Sequence, residues 1–198
     1  MDAARFALGE SYEDFKAGMT RNREAIEASE SAVRLDPADV AFLRGLPKPL
    51  KVVAIAEGWC GDVVANLPVL ATLAEACGTL DVRVFDKSKH PDLIARYRNK
   101  GTFESMPVFV FFDEAFDEVG VFIERPASVT ARRAELRLKI YEAEPAFGSS
   151  DQPPADLPDD VRASLMVAIR KMRAEIKPWA DGEVVRELRE IVARAVVA

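Results

Sequence analysis

The stretch Lys51-Val52-Val53-Ala54-Ile55-Ala56-Glu57-Gly58-Trp59-Cys60-Gly61-Asp62-Val63 decides how the rest of the chain is read. Its first six residues are β-branched or apolar almost throughout, the pattern of a short strand covered on both faces. Glu57-Gly58-Trp59 breaks that pattern. From Gly61 to Ala76, Val64, Leu67, Leu70, Ala71 and Leu73 recur at helical spacing, and Cys77-Gly78 supplies a glycine cap. Cys60 therefore stands between a strand and a helix. Pro68 lies inside that helix, where a ring in place of an amide hydrogen predicts a kink.

Outward from this unit, Leu80 to Phe85 reads as a second strand, and His90-Pro91-Asp92 starts a helix running to about Arg98, closed by Gly101. Pro107 to Phe112 is again continuously apolar, and Val119 to Ile123 is its hairpin partner. Glu114, Asp117 and Glu118 are a solvated hairpin tip. A helix follows from Ser128 to about Ala143. Before the first strand, Tyr12 to Leu35 is helical, with Phe15, Met19, Ile26 and Val33 as buried positions. Asp36-Pro37 then caps a short helix ended by Gly45. Pro145 to Pro158 has the composition of a linker, and Val161 to Ile176 and Glu183 to Val197 read as two helices separated by Pro178-Trp179 and Gly182. The expected organisation is a helical N-terminal extension over 1–47, an α/β core over 48–126, and C-terminal helices over 127–198 with a linker near 145–158.

The composition limits the function classes. Of 198 residues, 49% are apolar and 30% charged, which suits a globular chain, and the net charge of −6 gives no basic surface for nucleic acid or anionic lipid. With neither a leader-like N-terminus nor a membrane-length apolar run, a cytoplasmic location without membrane partners is expected. Two cysteines in a reducing compartment point to chemistry before a structural bridge. One histidine, His90, reads as an exposed helix start, and with two distant cysteines it makes no zinc set; no metal or cofactor is expected. Nucleophile-histidine-acid sets, phosphate loops and dinucleotide fingerprints are absent from the sequence.

Trp59-Cys60-Gly61-Asp62-Val63 resembles the Trp-Cys-Gly-x-Cys site of thioredoxins. The motif lies between strand and helix, Pro68 follows Cys60 by eight residues as in that family's kinked active-site helix, and Met106-Pro107 opens a later strand as the family's cis-proline does. The longer run through Asn66-Leu67-Pro68-Val69-Leu70 is similar to a bacterial subgroup known only as thioredoxin family proteins. The resemblance covers about 80 of 198 residues. It implies a thioredoxin-like fold, a central mixed sheet flanked by helices, with N- and C-terminal helices added. It also implies a client groove made by Trp59, Gly61, Val63, Met106 and Pro107 around Cys60. Two departures stand out: Val63 replaces the second cysteine, and Ala54 stands where the family has a buried aspartate.

At a helix start, free amide donors and the helix dipole favour a thiolate at Cys60, while an ionised Asp62 nearby opposes it. Asp62 has a second reading, as an acidic residue that stabilises any helix start. Dithiol chemistry needs a second thiol within the same turn to resolve the mixed disulfide, and Val63 has none. Cys77, seventeen residues on, is roughly 25 Å away along a helix, outside disulfide reach. The expected function is monothiol redox chemistry at Cys60 with protein clients or a low-molecular-weight thiol. The alternative is a thioredoxin-fold interaction module without turnover, and a weaker third reading is a glutathione-binding, glutaredoxin-like protein. The added helices offer a surface for a homodimer.

Overall fold

The computed structural model describes residues 1–197. Four strands, β1 (Leu50–Ala56), β2 (Leu80–Asp86), β3 (Val108–Phe112) and β4 (Glu118–Ile123), form one sheet in the order β2-β1-β3-β4. β1 runs parallel to β2, with Leu50 opposite Leu80, and antiparallel to β3, with Ala54 opposite Phe109. β4 is antiparallel to β3. The central strands β1 and β3 are buried almost throughout, which is why both read as unbroken apolar runs. Phe109 and Phe122 are register partners and stack with centroids 5.1 Å apart. On the far edge, the backbone of Glu10 bonds that of Val84 in both directions, at 2.8 and 2.9 Å, and covers part of β2.

A parallel β1–β2 pair requires a crossover, and α5 (Gly61–Cys77) provides it. It continues through the buried Pro68. The missing amide and the crowded turn, about 3 kcal/mol in a helix interior, are offset by burial of Val63, Leu67, Val69, Leu70 and Leu73. Gly78 ends it in a left-handed cap at φ +71°, a conformation other residues adopt at a cost.

The N-terminal segment is helical, as expected over Tyr12 to Leu35, and it is divided into several pieces. It comprises α1 (Ala3–Phe6), α2 (Tyr12–Gly18), α3 (Arg23–Ala32) and α4 (Pro37–Arg44). The break falls at residues 19–22, where Asn22 takes a left-handed φ of 59° and its amide donates to the Gly58 carbonyl at 3.0 Å. A tertiary bond to the Cys60 loop outweighs local helix preference there. The helix after His90 is also shorter than expected: α6 is Pro91–Ile94. Beyond it Arg96 and Tyr97 make tight i−3 bonds, and Asn99 turns back to bond Phe103 at 2.7 and 3.0 Å.

The chain divides into two compact units. The first comprises Met1–Pro126 and the chain from Asp181 onward. Its core gathers the sheet, α5, Phe6, Phe15 and Leu43 with Val184, Val185, Leu188, Ile191 and Val192. Gly120 on β4 admits this last segment, since a Cβ there would lie 2.8 Å from Ile191 Cγ2. The second unit, Ala127–Ala180, holds α7 (Ala127–Ala143), two 3-10 turns and the first part of α8 (Asp159–Val197) around Tyr141, Phe147, Leu157, Leu165, Ile169 and Met172.

Two expectations are corrected in this region. The stretch 145–158 is a pair of 3-10 turns, Pro145–Phe147 and Pro154–Asp156, with Phe147 and Leu157 buried, so its apolar residues anchor a segment whose composition suggests a free linker. The two terminal helices are one: α8 runs through Pro178 and Gly182 without a break. A proline removes a single ladder bond, and a helix of this length keeps the remainder.

Candidate functional site

Cys60 is the N-cap of α5. Its N–H donates to the Glu57 carbonyl at 3.0 Å and its own carbonyl accepts from Val64 at 3.1 Å, so the β1–α5 loop closes as a tight turn with the sulfur at its end. The Cys60 thiol donates to the Met106 carbonyl at 3.7 Å. The Met106–Pro107 peptide bond is cis, and both residues are buried beneath the half-buried sulfur. The fold thus joins residues 46 positions apart in the sequence.

The remaining residues expected to line a groove are placed differently from one another. Trp59 is 56% exposed and Gly61 is exposed, so both face solvent beside the sulfur's loop. Val63 is fully buried in the core. The third position after Cys60, on which a resolving thiol would stand, is therefore an interior apolar site. Ala54 is likewise fully buried, between Val84 and Phe109, with no carboxylate in its place. Cys77 lies buried at the other end of α5, its thiol against the Ala74 carbonyl at 3.6 Å. His90 is half-buried, its Nδ1 3.2 Å from Arg5 and its ring edge-on to Phe85.

Sequence reasoning missed a polar network beside Cys60. Asp62 is ion-paired to Arg125, with side chains 14% and 21% exposed, so its charge is balanced and it does more than decorate a helix start. Arg125 also pairs with Glu124 at 2.7 Å. The second Glu124 oxygen accepts from the Asn99 amide at 3.1 Å, which reaches the Ser105 hydroxyl at 3.2 Å. Asn66, itself buried on α5, donates to the Glu124 carbonyl at 2.7 Å. Glu124 is left-handed at φ 66°, and its N–H donates to the Pro107 carbonyl at 2.7 Å. Only the acidic residue at the helix start was legible; Arg125 carries no sequence signal 63 residues away.

On another side, a crevice of about 200 Å³ lies between residues 18–21 and the Glu57–Trp59 loop, with Glu10, Asp86 and Lys89 in its lining. Burial, and then the neighbouring Asp86, push the Glu57 carboxyl above its usual range. Burial pushes Asp86 the same way, but bonds from Glu57, Ser88 and Lys89 outweigh it and hold Asp86 low. The pair therefore shares its protons unequally, with Asp86 the more readily ionised. Among the described residues no group of three or more His, Cys, Asp or Glu is placed to hold a metal ion. No described helix is long and apolar enough to cross a membrane.

A mixed four-stranded sheet with a cysteine at the start of its crossover helix, opposed by a cis-proline at the start of the third strand, defines a thioredoxin-fold protein. Residues 9–137 match the family model described as thioredoxin, and the chain belongs to that family. Among solved structures, an HIV epitope scaffold is similar at 17% identity with a TM-score of 0.63, over 98% of both chains. A protein of unknown function from Pseudomonas aeruginosa is similar at 19% identity and a TM-score of 0.59, over 88% of this chain and 99% of that one. At these identities the likeness is one of fold, and it extends past the thioredoxin core into the terminal helices. No curated protein sequence matches the chain significantly.

Proposed function

We propose that this chain is a monothiol redox protein acting through Cys60. The supporting observation is the approach of the helix-capping Cys60 thiol to the Met106 carbonyl at 3.7 Å, while buried Val63 occupies the third position after it. The Cys60 thiolate attacks one sulfur of a client disulfide; a new sulfur–sulfur bond forms, the client's bond breaks, and the departing sulfur leaves as a thiolate that takes a proton from solvent. A second, external low-molecular-weight thiol then attacks the mixed disulfide and releases Cys60 reduced. Exposed Trp59 gives clients an aromatic contact beside the sulfur. Asp62, balanced by Arg125, supports the reading because it does not present the thiolate with an unpaired like charge. The chemistry calls for no metal or prosthetic group, and a reducing compartment such as the cytoplasm would supply the thiol.

The test is capture of mixed disulfides from cells under mild oxidation. The Cys77→Ala protein is expected to carry thiol-releasable adducts and Cys60→Ser to carry none. Absence of adducts from both, with partner binding unchanged by Cys60→Ser, would favour an interaction module on the same fold.

A further inference from the structure

The Cys60 thiol and the Met106 carbonyl belong to separate elements, and their 3.7 Å approach depends on what fastens those elements together. The Asp62–Arg125–Glu124 network attaches at both ends. On α5 its anchors are Asp62, two residues after Cys60, and Asn66, one turn further. At the cis-proline its anchors are Ser105, the residue before Met106, and the carbonyl of Pro107. Arg125 is the centre: one end of its guanidinium takes Asp62 and the other takes Glu124, whose main chain is bonded to Pro107. These side chains are 14–24% exposed, so the pairs are shielded more than surface ion pairs and still reach water. Without Arg125, two carboxylates would be left to repel each other across the junction of α5 and the cis-proline segment.

We propose that Arg125 is a positioning residue for Cys60, clamping the start of α5 to the Met106–Pro107 segment so that the thiol meets an extended client in register. This rests on the thiol reading above. Its consequence is selective. A small reagent needs only the thiol, whereas a peptide disulfide needs the thiol and the cis-proline segment at a fixed separation, and misplacement of either slows attack.

The experiment uses full-length Cys77→Ala protein, so that Cys60 is the one thiol, with Arg125→Gln, Arg125→Lys and Asp62→Asn added singly. Two rates are measured: reaction with a short peptide whose cysteine carries thionitrobenzoate, followed by release of that chromophore, and alkylation by iodoacetamide. Arg125→Gln and Asp62→Asn are expected to slow the peptide reaction about tenfold and alkylation by less than about threefold, while Arg125→Lys stays within about threefold in both. Equal slowing of both reactions, or none, overturns the proposal. Amide exchange at Glu124, whose N–H is bonded to Pro107, gives a readout free of thiol chemistry: it should quicken in Arg125→Gln and be restored in Arg125→Lys. If the parent protein fails to react with the peptide disulfide, the thiol reading falls. Unchanged Glu124 exchange in Arg125→Gln would then overturn the clamp.

Discussion

Replacing Val63 by cysteine is expected to let Cys60 close an internal disulfide. Cys60 caps α5 and residue 63 lies one turn along it, so the two Cβ atoms are neighbours at roughly 5–6 Å, and modest adjustment of the first turn reaches disulfide geometry. Val63 is fully buried, and the smaller cysteine leaves a gap costing about 1 kcal/mol, which a domain of ordinary stability tolerates. With Cys77→Ala in the background, the oxidised Val63→Cys protein should be two hydrogens lighter than its reduced form and should show more dithiol-dependent disulfide reductase turnover than its parent. A variant that stays as two free thiols under the same oxidant would show that the interior position at residue 63 cannot turn toward Cys60. The family's two-step mechanism would then be blocked here by packing as well as by composition.

Replacing Ala54 by aspartate is expected to destabilise the protein by about 3–5 kcal/mol at neutral pH, because a carboxylate would enter a fully buried site between Val84 and Phe109. The sign of the pH dependence follows from linkage. Burial raises the carboxyl's pKa in the folded state above about 3.9, its value in the unfolded chain. Between those two values the folded state holds the proton that the unfolded state has lost. The penalty is therefore smallest at or below about pH 4 and grows until the pH passes the raised folded value. Urea unfolding at several pH values measures it. A penalty independent of pH would mean that the introduced carboxyl finds a partner or water despite the apolar neighbours of residue 54.

These two positions also mark how far the sequence is legible. The strand from Leu50, the helix ending at Gly78, the strand from Leu80 and the β3–β4 hairpin each carry a local pattern: an unbroken β-branched run, helical spacing, a glycine cap, a turn-rich break. Such patterns survive because they are written over neighbouring residues. The N-terminal helices did not follow from theirs, since the break before Arg23 is set by Asn22 bonding Gly58, a partner 36 residues away. Segment 145–158 misled for the opposite reason. Its prolines and glycine describe an irregular backbone correctly but say nothing of whether Phe147 and Leu157 will be buried. Pro178 suggested a helix end, yet one lost amide bond was too small a term to end α8.

At the site, the sequence alone determined the chemistry on offer: one cysteine at a strand-to-helix junction and an apolar residue where a second thiol would stand. Those facts are properties of residue identity and local spacing. Tertiary structure alone decided which distant groups surround that sulfur. It set the Met106 carbonyl 3.7 Å from Cys60, buried Val63 while leaving Trp59 in solvent, and gave Asp62 its partner in Arg125. The physical reason is that contacts between α5, the cis-proline segment and the end of β4 arise from sheet order and crossover, which bring together residues that share no local pattern.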